Sequence, residues 1–122
     1  MFSFEVKNFR ELGEAERRLR DFLLGSGASE DCLFSAKLVL SELVGNVLRH
    51  AKGCAFVESR VQAEELELEL VVRSDSPFVP PVKTCCADVY AEGGRGLFLV
   101  DRVSVRRSNL PDGGICVRIR LK

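Results

Sequence analysis

The chain reads as an α+β domain: a two-layer α/β sandwich with a mixed, mostly antiparallel sheet and helices on one face. Three observations predict it. Apolar residues recur at helical spacing in two early segments, and from Ala55 onward the period changes to two. The alternation of Glu65, Glu67 and Glu69 with Leu66, Leu68, Leu70 and Val72 gives one acidic and one apolar strand face, as in an antiparallel sheet covered by helices on one side. With 122 residues and 46% apolar content, residues 1–122 are expected to form a single domain around one core.

Phe2, Phe4 and Val6 alternate and predict a short first strand. Asn8 with Glu11 three residues later predicts a helix start, a variant of the capping box. Phe9, Leu12, Leu19, Phe22 and Leu23 keep helical spacing until Gly25-Ser26-Gly27 ends the helix. Ser29, followed by Glu30 and Asp31, predicts a second start, the acids favouring the positive end of the helix dipole. Leu33, Ala36, Leu40, Leu43, Val44 and Val47 form its buried face. Gly45 within that helix costs about 1 kcal/mol relative to alanine, which a close approach to the backbone or simple tolerance would explain.

After Lys52-Gly53, Ala55 and Val57 open a strand, Glu64-Glu65 make the turn, and Leu66 begins the next strand. From Ser74 to Gly94 regular patterning fails, and Pro77, Pro80 and Pro81 deny helix or strand at its start. Long irregular stretches in compact domains are usually functional or disordered. Leu97 to Val103 predicts a short helix, and Val103 with Val105 a further strand. Pro111-Asp112-Gly113-Gly114 make a turn before Ile115, Val117, Ile119 and Leu121 alternate to the end.

Eighteen basic residues balance eighteen acidic ones, so no global field favours nucleic acid or a membrane surface. No apolar run approaches the ~20 residues of a membrane span, and the N-terminus lacks a signal-peptide layout. The five cysteines form no zinc-type spacing, and a reducing cytoplasm is the simplest reading. Cys32 and Cys116 are expected to be small core residues, and the adjacent Cys85-Cys86 pair suits neither an ordinary disulfide nor a metal clamp.

Two segments carry the chemistry. Glu42, Asn46 and His50 fall at i, i+4 and i+8 on one helical stripe beside the apolar one. A carboxylate and a carboxamide one turn apart suit a hard cation or a general base. Gly93-Gly94-Arg95-Gly96-Leu97 is a glycine-rich turn feeding a helix start, which suits phosphate. In this order the two resemble the GHKL-type ATPases, the superfamily of histidine kinases, gyrase B, Hsp90 and the anti-sigma factor serine kinases. Glu42-x-x-x-Asn46-x-x-x-His50-Ala51 is similar to their N box, and Gly93-Gly94-Arg95-Gly96-Leu97 to their second glycine box. The resemblance spans essentially the whole chain, and its length and the Gly-Gly-Arg-Gly-Leu run bring it nearest to the anti-sigma factor kinases.

That resemblance implies a Bergerat-like fold, ATP or ADP with Mg²⁺ as ligands, and an ATP lid between the glycine boxes. It implies Asn46 as the Mg²⁺ ligand, Glu42 as the base acting on a protein serine, and backbone N–H groups of Gly94, Arg95 and Gly96 around phosphate. Gly93, Leu97 and His50 complete the implied nucleotide-binding set. It further implies a sigma factor and an anti-sigma antagonist as partners; a homodimer stays open. One segment departs from the family: where an Asp accepts from the adenine amino group, this chain reads Ser74-Asp75-Ser76-Pro77. Aligning on Pro77 puts Ser74 at the Asp position and Ser76 at a Gly position, with Asp75 one residue out of register unless a local bulge brings it back into place. A hydroxyl accepts more weakly than a carboxylate. The alternative expectation is therefore a partner-binding switch of the same fold with weak or absent nucleotide chemistry.

Overall fold

The computed structural model describes residues 2–50, 54–74, 94–111 and 113–122, with the side chains of His50 and of residues 94–97 left aside. Local chemistry sets the first helices. Asn8 Oδ1 accepts from the Glu11 N–H at 2.9 Å, and Glu11 Oε1 accepts from the Lys7 N–H at 2.7 Å. The carboxylate thus satisfies the donor one residue before the cap rather than the cap's own, which is the variation on the capping box. This starts α1 (Phe9–Gly25) after β1 (Phe2–Val6). Ser29 Oγ accepts from the Cys32 N–H at 3.1 Å, beginning α2 (Glu30–His50).

The sheet follows. β2 (Ala55–Gln62) and β3 (Glu67–Ser74) form a hairpin, and α3 (Gly94–Val103), β4 (Arg106–Asn109) and β5 (Ile115–Arg120) complete the described elements. The strand order is β1-β2-β3-β5-β4, and the four pairings among the described residues are all antiparallel. The inner sheet face (Val6, Ala55, Val57, Leu68, Leu70, Val72, Val117 and Ile119) is buried together with Leu12, Leu19 and Leu23 of α1 and Ala36, Leu40, Leu43 and Val47 of α2. The fold is the expected α+β arrangement.

The acidic strand face lies away from this core. Arg118 reaches Glu65, Glu67 and Glu69 at 2.6, 3.4 and 3.2 Å, and Arg73 pairs with Glu58. Such part-exposed pairs contribute little to stability; they keep the open face charged rather than hold the fold. α3 is tied down differently. Arg107, its side chain 7% exposed, donates from Nε and Nη2 to the two Asp101 carboxylate oxygens at 2.8 and 3.2 Å, joining β4 to α3. Among the described residues no helix is long and apolar enough to cross a membrane.

Four details differ from the sequence reading. Leu66 belongs to the β2–β3 turn, with φ 53° and half its surface exposed, because the hairpin needs a left-handed residue before β3 begins at Glu67. Cys116 sits on the open sheet face opposite Val71, since the core positions of β5 are its odd-numbered neighbours. Val103 ends α3 and Val105 precedes β4, which starts only at Arg106. Phe9, at the first turn of α1, is exposed rather than part of the buried face.

Candidate functional site

α2 carries the predicted stripe, and its two described members differ in environment. Glu42 is half-buried, whereas Asn46 is 2% exposed, one of the two buried polar residues among those described. A buried carboxamide must find hydrogen-bond partners. Asn46 Oδ1 accepts from Arg49 Nη2 at 2.9 Å. Gly45 gives the guanidinium its room: a Cβ there would lie 3.2 Å from Arg49 Nη1. The glycine that looked costly in the sequence thus allows a cation to fold back over the helix onto Asn46. The sequence reading did not single out Arg49; its spacing of three from Asn46 was the available signal.

Asn46 opens into a small cleft between α2 and the sheet. Leu43 and Val47 line one wall, Val72 and Ser74 of β3 another, and Gly113 of the β4–β5 connection with Ile115 at the start of β5 the third. Two sequence-predicted residues from different elements, Asn46 and Ser74, therefore meet in one cavity. Ser74 shares the inner face with Leu70 and Val72 by strand alternation, while Arg73 turns to Glu58 on the other face. This is the geometry that the Pro77 alignment expects for Ser74. Gly113, with φ 91°, joins the site through a turn whose approach to β3 no local motif announced.

α3 begins at Gly94, earlier than the expected Leu97, so the first-turn backbone N–H groups belong to Gly94, Arg95 and Gly96. Those N–H groups have no partner within a helix. The end of α3, at Arg102 and Val103, shares a cleft with Ser29, Cys32 and Ser35 at the start of α2. α3 packs against α2. His50 is the last residue of α2. Asp75, Ser76 and Gly93 lie outside the described residues, as do Cys85, Cys86 and most of the expected lid. Among the described residues no group of three or more His, Cys, Asp or Glu could hold a metal by itself.

A two-layer α+β domain with a buried carboxamide in a cleft between helix and sheet, and a glycine-rich start to a second helix packed on the same α2, has the parts of a nucleotide-phosphate site. The family model of the histidine kinase-like ATPase domain matches residues 7–121, and the chain belongs to that family. No curated protein matches the chain.

The family implies ATP and Mg²⁺, and the residues present fit them. Asn46 Oδ1 is a hard oxygen donor that already accepts from a cationic group, the Arg49 guanidinium. Magnesium typically takes one or two protein oxygens and completes its shell with water and phosphate. A single protein oxygen among the described residues is therefore compatible with such a site.

Proposed function

We propose that this domain is an ATP-dependent protein serine kinase that regulates transcription by phosphorylating a protein antagonist and sequestering a sigma factor. The observation that carries the reading is the cleft itself. Asn46 and Ser74, singled out from separate motifs, line one cavity on the helix that also bears Glu42.

In this reading Asn46 holds Mg²⁺, which when bound supplies charge neutralisation at the phosphates. The N–H groups of Gly94, Arg95 and Gly96 take phosphate oxygens at the positive end of α3, with Arg95, Gly93 and Leu97 shaping the loop. Ser74 accepts from the adenine amino group, with Asp75 and Ser76 beside it in the chain. Glu42 accepts the proton of the attacking serine hydroxyl, and His50 closes the stripe. The acceptor serine arrives on a protein, so docking supplies much of the catalysis by proximity. Cytoplasmic location follows from the same reading, as does the absence of nucleic-acid and membrane partners.

A second reading rests on Ser74. A neutral acceptor in the adenine position weakens nucleotide recognition, and the same fold then serves as a partner-binding switch with little phosphoryl transfer. Calorimetric titration of ATP and ADP, with Mg²⁺ and with excess chelator, separates the two. The kinase reading expects Mg²⁺-dependent binding that Asn46→Ala weakens. It also expects Glu42→Gln to lose at least about 100-fold in serine phosphorylation while keeping nucleotide affinity, since only the proton acceptor is removed. Equal affinity in chelator overturns the metal role of Asn46, and unchanged phosphorylation by Glu42→Gln excludes it as base.

A further inference from the structure

The helical layer carries a groove that the nucleotide site does not use. It runs between α1 and α2, and its floor is Leu19, Leu23, Leu33 and Ala36. Lys37, on its rim, lies about 13 Å along α2 from Asn46 at the helical rise per residue. Arg17 and Arg20 of α1 line the groove together with Lys37, against a single acid, Glu16. Arg20 and Lys37 make no ion pair among the described residues, and Arg17 meets Glu14 only at 3.9 Å with its side chain 77% exposed. The rim is therefore net basic.

Two more observations make this more than a solvated face. Gly13 lines the groove, and a Cβ built there meets nothing within 4 Å. No packing in the described chain requires that glycine, although glycine inside a helix is less stable than alanine; its effect is to keep the groove open. Large apolar side chains also surround the bases. Phe9, Gly13, Arg17, Arg20 and Leu24 follow one another at steps of three or four on α1, and Phe34 lies one turn before Lys37 on α2. Phe9, Leu24 and Phe34 are 54%, 51% and 68% exposed.

We propose that this groove docks an acidic amphipathic helix of a protein partner. The channel between two antiparallel helices is the shape a third helix fills, ridge into groove. Its apolar stripe rests on the leucine floor between Phe9, Leu24 and Phe34, and its carboxylates meet Arg17, Arg20 and Lys37. A net charge of zero for the whole chain makes this a local field, suited to selecting one partner segment rather than a polyanion. The surface is separate from the nucleotide cleft, so docking stands whether or not the domain transfers phosphate.

The test uses the full chain and a labelled amphipathic peptide of about 18 residues, long enough to sustain helix, with leucines on one stripe and glutamates flanking them. A second peptide carries lysine for glutamate, and a third is scrambled. The expected result is binding of the acidic peptide at least about tenfold tighter than either control, weakening with salt. Gly13→Leu fills the groove and is expected to raise the melting temperature while weakening the peptide at least tenfold, an effect that loss of folding cannot mimic. Arg20→Glu with Lys37→Glu is expected to shift preference to the lysine peptide. Equal binding of acidic and scrambled peptides, or indifference to both variants, overturns the proposal. So does self-association of the chain that these variants abolish, or capture by phosphatidylserine vesicles without peptide preference, because the occupant is then a second copy or a lipid surface.

Discussion

The two halves of α2 serve opposite purposes with one continuous helix. Its C-terminal half buries a polar group: Asn46 sits behind Leu43 and Val47 and touches a cleft walled by β3 and the β4–β5 connection. Its N-terminal half buries Cys32, Leu33, Ala36, Val39 and Leu40, with no amide or charged group among them, and leaves Phe34 and Lys37 outside beside α1. A single buried carboxamide is specific and intolerant, because losing its partner leaves a desolvated group at a cost of about 1–3 kcal/mol. An apolar floor with a charged rim is graded and tolerant, because each rim charge contributes little. The helix therefore joins a site where one residue decides to a surface where many share.

Truncating one leucine at each end is expected to break that comparison most sharply. Leu43, 1% exposed, lines the cleft, and Leu43→Ala should cost about 3–5 kcal/mol of unfolding free energy in a denaturant titration. It should also weaken nucleotide binding. Leu33, 9% exposed, borders the open groove, so Leu33→Ala should cost nearer 2 kcal/mol and leave nucleotide binding unchanged. Equal costs with equal loss of nucleotide would show that the two ends are not separate.

A charge placed in the cleft sharpens the comparison next. Ser74→Asp restores a carboxylate acceptor opposite Asn46, and ATP is expected to bind about tenfold tighter, the difference between charged and neutral hydrogen bonds. Weaker ATP binding, together with loss of binding in Asp75→Asn, would move the adenine contact to Asp75.

The smallest effect is a pH dependence at the N-terminal half. Burial raises the Cys32 thiol above its ordinary 9.0. The unfolded chain therefore releases that proton at lower pH than the folded one. The stability from the buried thiol is fully present below about pH 9 and is lost as pH rises toward the folded value. Cys32→Ala should flatten this alkaline decline in melting temperature relative to the parent; an unchanged slope would assign the decline elsewhere.

The helix starts at Asn8 and Ser29, the buried stripe of α2 and the alternation of β2, β3 and β5 were all fixed by residues within one or two turns of each other. Short-range caps and hydrophobic period need no distant partner, so sequence reading found them, along with Asn46 and Ser74 as candidates. The exposed Phe9, the left-handed Leu66 and the outward Cys116 escaped it, because apolar character at the right period does not say which face a neighbouring element will cover.

The meeting of Asn46 with Ser74 and Gly113 depends on β3 pairing with β5 and on α2 lying across them. No local pattern encodes that pairing. The bond from Arg49 to Asn46 passes beside the open flank of Gly45, and the groove at Gly13 depends on how α1 and α2 pack against each other. By itself the sequence determined the elements, the core stripe and the chemical inventory of the site. Tertiary structure alone decided which of those groups share a cavity and which apolar side chains remain uncovered, because both depend on packing between segments far apart in the chain.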